Sequence, residues 1–148
     1  MKLSKKGEYA LRAVMELARH HNEDVMQIQE IAKNQNIPIK FLEQILLSLN
    51  KMGLLSSKRG AGGGYQLRRP PKAITLGEVV RIVDGPLAPL GCVSKTAYIE
   101  CIGCPEGDVC WLQDVMFDVR NAIAKILDNI TFGDILLKEQ KRGFKKVS

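Results

Sequence analysis

Histidine, tryptophan and cysteine are scarce in this chain, and cysteine is scarce in a particular way. Among 148 residues there are 2 His, 1 Trp and 4 Cys, and aromatics make up 5%. No cysteine precedes Cys92 and none follows Cys110. The two histidines are neighbours, His20 and His21, and read as a solvated helix terminus. No Ser-His-Asp or Cys-His constellation, paired-acid motif or nucleotide loop is present, so an enzyme is not expected. No apolar run approaches the ~20 residues of a membrane span, so no membrane partner is expected. The opening "MKLSKKGEYALRAVMEL" carries charges through its apolar stretch and lacks a small-residue cleavage site, so no signal peptide is expected. The expected compartment is the cytoplasm, where thiols stay reduced. A chain of this length can bury a core without disulfide staples. Clustered cysteines in a reducing compartment point to metal or redox chemistry.

Hydrophobic residues at 45% and charged residues at 26% are ordinary for a globular protein. The charge is unevenly placed. Residues 1–85 hold 14 Lys+Arg against 8 Asp+Glu, residues 86–137 hold 3 against 7, and residues 138–148 hold 5 against 1. A basic first half points to a polyanion such as nucleic acid; the alternative is a solvated basic surface.

Within that half, residues 7–21 are spaced as a helix, with Leu11, Val14, Met15, Leu17 and Ala18 on one side and Ala10 and Ala13 on the others. Being apolar nearly all round, this helix should be buried. A short helix over residues 27–34 turns Ile28, Ile31 and Ala32 inward. "NQNIP" then breaks the chain, and Pro38 suits the first turn of a third helix, residues 38–52. Projected at 100° per residue, Phe41, Leu42, Ile45, Leu46, Leu49 and Met52 fall within an arc of ~140°. Lys40, Glu43, Gln44 and Lys51 lie opposite, with Leu47 among them. Two helices joined by a short turn, the second with a polar face, fit a helix-turn-helix whose polar face suits a major groove; the alternative is an ordinary amphipathic surface helix.

"GLLSSKRGAGGGYQLRRPP" follows, with Gly60, Gly62, Gly63 and Gly64 between two strand-like pieces. This is a β-hairpin with a thin tip, and Lys58 and Arg59 stand beside that tip. After a helix-turn-helix such a hairpin is a wing, and a cation at its tip can enter a minor groove. A phosphate-cradling loop is the alternative, but G-x-x-x-x-G-K-[ST] is missing and no helix opens from the loop.

The second half carries two signals. Leu112, Met116, Val119, Ile123, Ile126 and Ile130 step by fours and threes along a helix over residues 111–130, a heptad-like seam. After a complete small DNA-binding domain, this seam favours a two-fold dimer suited to a palindromic site. Trp111 and Phe117 read as packing residues, and "NITFGDILL" as a further helix folding back. The other signal is "GCVSKTAYIECIGCPEGDVCW", with spacing C-x₈-C-x₂-C-x₅-C. Thiolates suit iron–sulfur clusters, zinc and copper(I). Structural zinc usually shows two close pairs, whereas here one close pair is flanked by single thiols. Gly91, Gly103, Gly107, Pro89 and Pro105 let the backbone wrap closely. Cys110 begins the long helix, where Asp108 is placed to cap and the helix N-terminus favours a thiolate. Iron–sulfur cluster, zinc and thiol–disulfide switch all stay open on the residues alone.

"MKLSKKGEYALRAVMELA", "IPIKFLEQILLSLNKMGLLSSKRGAGGGYQL", "ITLGEVVRIVDG" and "PLGC…C…C…C", in that order, resemble the IscR/NsrR-type transcription regulators of the Rrf-two superfamily, over roughly residues 1–135. The resemblance implies a mainly α fold with a small β-hairpin wing: a winged helix-turn-helix plus a long C-terminal dimerisation helix. It implies a homodimer that binds double-stranded DNA at a palindromic operator. It places base contacts on Lys40, Glu43 and Gln44, and a groove-inserted arginine at Arg59 beside Lys58. It also implies an iron–sulfur cluster, [2Fe–2S] favoured over [4Fe–4S], on Cys92, Cys101, Cys104 and Cys110. Cys92 and Cys110 match the family's outer cysteines, and the longer loop between them offers two candidates for the middle one. If only one of these binds, Glu8 of the other subunit is the alternative ligand. Gln113 stands where some relatives carry a histidine. The expected division is a DNA-binding domain over residues 1–85, a cluster loop over 86–110, dimerisation and return helices over 111–137, and a disordered basic tail over 138–148.

Overall fold

The computed structural model describes residues 2–104 and 110–143. Helix α1 (Lys5–Arg19) is capped by Ser4, whose Oγ accepts from the Gly7 amide. Its small residues matter: Ala10, Ala13 and Val14 are fully buried because α1 is packed on several sides. Helix α2 (Ile28–Gln35) ends on Asn36, which takes the left-handed conformation (φ 52°). The Ile37 amide then bonds back to Ala32 and Ile37 is buried, closing the end of α2. Helix α3 (Ile39–Lys51) has Pro38 as its N-cap, one residue outside the expected place.

Strands β1 (Leu55–Lys58) and β2 (Gly64–Leu67) form an antiparallel hairpin in the register Leu55↔Leu67 to Lys58↔Gly64. Gly60 and Gly62 take positive φ at its tip, a geometry that would strain a side-chain-bearing residue. Met26 and Tyr65 exchange both backbone hydrogen bonds, at 2.9 and 2.8 Å, so the hairpin is tied to the residue just before α2. Gly64 is required there: a Cβ would strike the Met26 carbonyl.

Helix α4 (Leu76–Asp84) is capped by Thr75 and packs along α1. Helix α5 (Trp111–Leu127) is the long C-terminal helix, and α6 (Phe132–Lys141) follows behind a Thr131/Asp134 capping box. One core joins α1, α3 and α4, and its buried residues include Leu42, Ile45, Leu46, Leu49, Leu54, Ile74, Val79 and Phe132. Phe132 anchors α6 into the core of the winged domain.

The fold is mainly α with a hairpin wing, as expected, but several local expectations change. Phe41 is 54% exposed and Met52 is 66% exposed, so the buried stripe of α3 is narrower than its apolar arc. Phe41 instead stands beside Tyr9, with ring centroids 6.3 Å apart. His20 is not solvated: it lies between Glu16 and Glu23, at 3.4 and 2.8 Å. His21 keeps a buried Nδ1 that no described residue hydrogen-bonds. Trp111 and Phe117 are exposed among the described residues, with Lys95 Nζ 5.9 Å from the centre of the Phe117 ring. Helix α5 stops at Leu127, so Ile130 lies beyond it, and α6 continues to Lys141, so the tail begins as helix. Gly107, Pro105 and the proposed cap Asp108 lie outside the described residues, as do residues 144–148.

Candidate nucleic-acid interface and thiol loop

Lys40, Glu43 and Gln44 are all exposed along one side of α3, and Lys58 and Arg59 are exposed at the end of β1. The burial of Leu42, Ile45, Leu46 and Leu49 leaves this polar side facing out. Leu47, 62% exposed, continues it. Between α3 and the wing lies a cavity of about 560 Å³, lined by Gln27, Ile28, Leu47, Asn50, Lys58 and Arg59 among others. Asn50 on α3 and Ser57 on β1 approach to 3.5 Å across its floor. The wing is therefore held at both of its strands, by α3 on one side and by the Met26–Tyr65 bridge on the other. A basic tip fixed relative to a polar helix is what simultaneous reading of adjacent DNA grooves requires. Periodicity had indicated the helix face and the hairpin, but not Gln27 and Ile28, which reach this cleft only through the Met26 pairing.

All four thiols are free. Cys92 sits in a short 3-10 turn, Gly91–Val93. The Gln113 side chain, in the first turn of α5, donates to the Cys92 carbonyl at 3.1 Å. Cys110 is the N-cap of that same helix and has no side-chain cap. The Cys92 turn and the Cys110 end of α5 are thus bound together. Cys92, Cys104 and Cys110 are half-buried and Cys101 is exposed. Among the described residues no three His, Cys, Asp or Glu side chains converge on one point. As a donor set, four soft thiols on a glycine-bearing loop fit an iron–sulfur cluster. Glu8 is half exposed on α1, paired with Lys5 at 3.4 Å and Arg12 at 3.7 Å.

The seam of α5 is open. Leu112, Val119 and Ile126 are exposed, and Met116, Ile123 and Ile130 are half-buried. The helix instead buries Arg120 and Ala124 against its own chain.

A helix-turn-helix with an outward polar face, followed by a basic glycine-tipped hairpin, defines a winged-helix DNA-binding transcription regulator. The family model described as "Iron-dependent Transcriptional regulator" matches residues 3–138. The chain belongs to this family, Rrf2. It is 39% identical over 137 residues to an rrf2-like HTH-type transcriptional regulator of Rhodobacter capsulatus, covering 90% of this chain and 91% of that one. The solved structure of CymR, the global cysteine regulator of B. subtilis, superposes with a TM-score of 0.75 at 33% identity, covering 91% of this chain and 95% of that one. The IscR of T. potens superposes with a TM-score of 0.76 at 30% identity, covering 98% and 93%. These relatives are transcription regulators, not enzymes. No helix among the described residues is long and apolar enough to cross a membrane.

Proposed function

We propose that this chain acts as a cytoplasmic homodimer whose binding to a palindromic operator is controlled by an iron–sulfur cluster in its cysteine loop. The observation that carries the reading is the Gln113–Cys92 hydrogen bond. It ties the main chain of one outer cysteine to the helix that the other outer cysteine caps. Cys92 and Cys110, with Cys101 and Cys104, would hold the cluster. Bound there, a cluster supplies one-electron redox chemistry tuned by solvent exposure and hydrogen bonding. A change in how Cys92 and Cys110 are held reaches α5 through Gln113. The open seam of α5 would pair with a second copy, giving two reading heads for a palindrome. On α3, Gln44 suits adenine and Glu43 suits the N4 amino group of cytosine, with Lys40 beside them; Arg59 enters the minor groove with Lys58 on the backbone.

Anaerobic purification with iron, acid-labile sulfide and visible absorption measured tests the reading. The intact chain should carry all three signals, and Cys92→Ala and Cys110→Ala should lose them. If Cys101→Ala and Cys104→Ala both keep a normal cluster while Glu8→Ala does not, the four-cysteine set gives way to one completed by Glu8. A second reading, a thiol–disulfide switch in the same loop, is favoured by the exposed Cys101 and by the likeness to a cysteine regulator. Zinc without sulfide in the purified protein would instead identify a structural metal.

A further inference from the structure

A polar cluster that the proposed function leaves unused lies where α1, α2 and α6 meet. Its centre is Glu16, only 5% exposed. Its Oε1 accepts from Asn34 Nδ2 at 2.9 Å and its Oε2 from Gln35 Nε2 at 2.6 Å. Both donors belong to the last turn of α2. Arg19 Nη1 lies 3.2 Å from Oε2, and His20 Nε2 lies 3.4 Å from Oε1. Arg19 turns its other edge to α6, where Nη2 and Nε bond the two oxygens of Glu139 at 2.6 and 3.2 Å. One turn earlier on α1, Arg12 donates to the Gln35 carbonyl. Helix α1 therefore grips the end of α2 by main chain and side chains, one residue before Asn36 turns the chain toward α3.

Burial is the largest influence on the Glu16 carboxyl and pushes its pKa up. The amide hydrogen bonds of Asn34 and Gln35, with the charges of Arg19 and His20, outweigh it, so the carboxyl is held below its ordinary value and stays charged. A buried ion pair is a weak source of net stability, since apolar residues of equal volume often serve as well. Its distinctive property is direction: a satisfied carboxylate fixes each of its donors in one place.

The geometry points to Glu16 as a positioning residue for DNA reading, which with Arg19 forms a relay from α6 to the turn of the helix-turn-helix. This rests on the chain being a DNA-binding regulator and is independent of any cluster. Helix α6 follows α5, so the relay sets the base-reading helix α3 relative to the C-terminal helices. Among the described residues, the side-chain path that joins its two ends, Glu139 and Asn34, runs through Arg19 and Glu16.

The test uses the full chain, a duplex selected by it from random-sequence DNA, and a scrambled duplex of equal length at the same salt. Glu139→Gln and Asn34→Ala should each weaken binding to the selected duplex by about fivefold. Binding to the scrambled duplex, which rests on phosphate contacts, should stay within about twofold. The double variant should lose less than the product of the two single losses, because breaking either end already releases the relay. Glu16→Gln should lose the most; should it fail to fold, the two peripheral variants still decide. Losses that multiply, or that are equal on both duplexes, would reduce the cluster to a structural contact and overturn the proposal. Failure of the unaltered chain to select any duplex would remove the DNA-reading premise, an outcome separate from failure of the relay.

Discussion

Arg59 stands at the end of β1, where Gly60 and Gly62, both with positive φ, leave the methyl of Ala61 as the one side chain between them. A bulkier tip would hold the guanidinium away from a narrow groove. Its neighbours leave it exposed, so it contributes little to folding, and its removal isolates a binding effect. Arg59→Ala should weaken operator binding about tenfold or more and reduce the salt slope by about one, with the melting temperature unchanged. Operator affinity that is unaltered at fixed salt would show that the wing does not enter the groove. The same scale explains Gly64, where space rather than φ is decisive, because the Met26 carbonyl occupies the place of a side chain. Glycines at the tip and Asn36 at the α2 turn were readable from sequence, since their conformational roles are local. The need for Gly64 was not, because it depends on the Met26 carbonyl, 38 positions earlier in the chain.

At the scale of elements, α5 has two faces with different fates. Arg120 and Ala124 pack on the chain itself, while Trp111, Leu112, Val115, Phe117, Val119 and Ile126 remain exposed. An apolar strip of this kind on one helix is costly in water, and the proposed pairing of two copies would cover it. Val119→Glu would put an unpaired charge against an apolar partner surface. Sedimentation should show a dimer for the unaltered chain and monomer or aggregate for this variant. A soluble dimer of Val119→Glu would place the dimer contact elsewhere. The 3.6-residue period made α1, α3 and α5 legible in the sequence, because it is written in the side chains themselves. It overstated α3: Phe41 and Met52 sit at the edges of the arc, and a helix on a small domain buries a stripe nearer 100° wide. It also misjudged the histidines. Glu16 at i−4 was visible, but Asn34 and Gln35, which make Glu16 worth burying, arrive only through the packing of α2 on α1. The clustering of the four thiols was legible in the sequence, whereas the Gln113 tie to the Cys92 carbonyl was not.

For the molecule as a whole, the question is what joins the C-terminal helices to the winged domain. Besides the Arg19–Glu139 pair between α1 and α6, three further attachments stand out among the described residues. Phe132 is buried in the common core. Leu76 and Phe132 donate backbone hydrogen bonds to Ile130 and Ile74, pairing the entry to α4 with the entry to α6. Arg81 on α4 grips Asp128, just past α5, with two hydrogen bonds of 2.6 and 2.8 Å. Gly77 leaves room for that carboxylate, since a Cβ there would strike it. The Arg81 hydrogen bonds hold the Asp128 carboxyl below its ordinary value, against the smaller opposing effect of burial. A carboxyl that takes up its proton less readily when folded adds stability above its unfolded pKa and loses it as the pH falls through the folded value. The pair is partly exposed and solvent-screened, so its contribution at neutral pH is about 1 kcal/mol. Asp128→Asn should therefore melt about 2–8 °C lower than the unaltered chain at pH 7. That gap should begin to narrow as the pH falls to about 4, the ordinary carboxyl range of the unfolded chain, and should close only once the folded carboxyl, held below that range, has also taken up its proton. Glu16 and Asp134, also held below their ordinary values, titrate in both chains and cancel from the comparison. Thermal melts of the two proteins from pH 7 to 3 measure the gap directly. A gap that stays constant across the range would mean that Asp128 acts through shape and packing, and that the ionic grip of α4 on the end of α5 does not hold the two parts together.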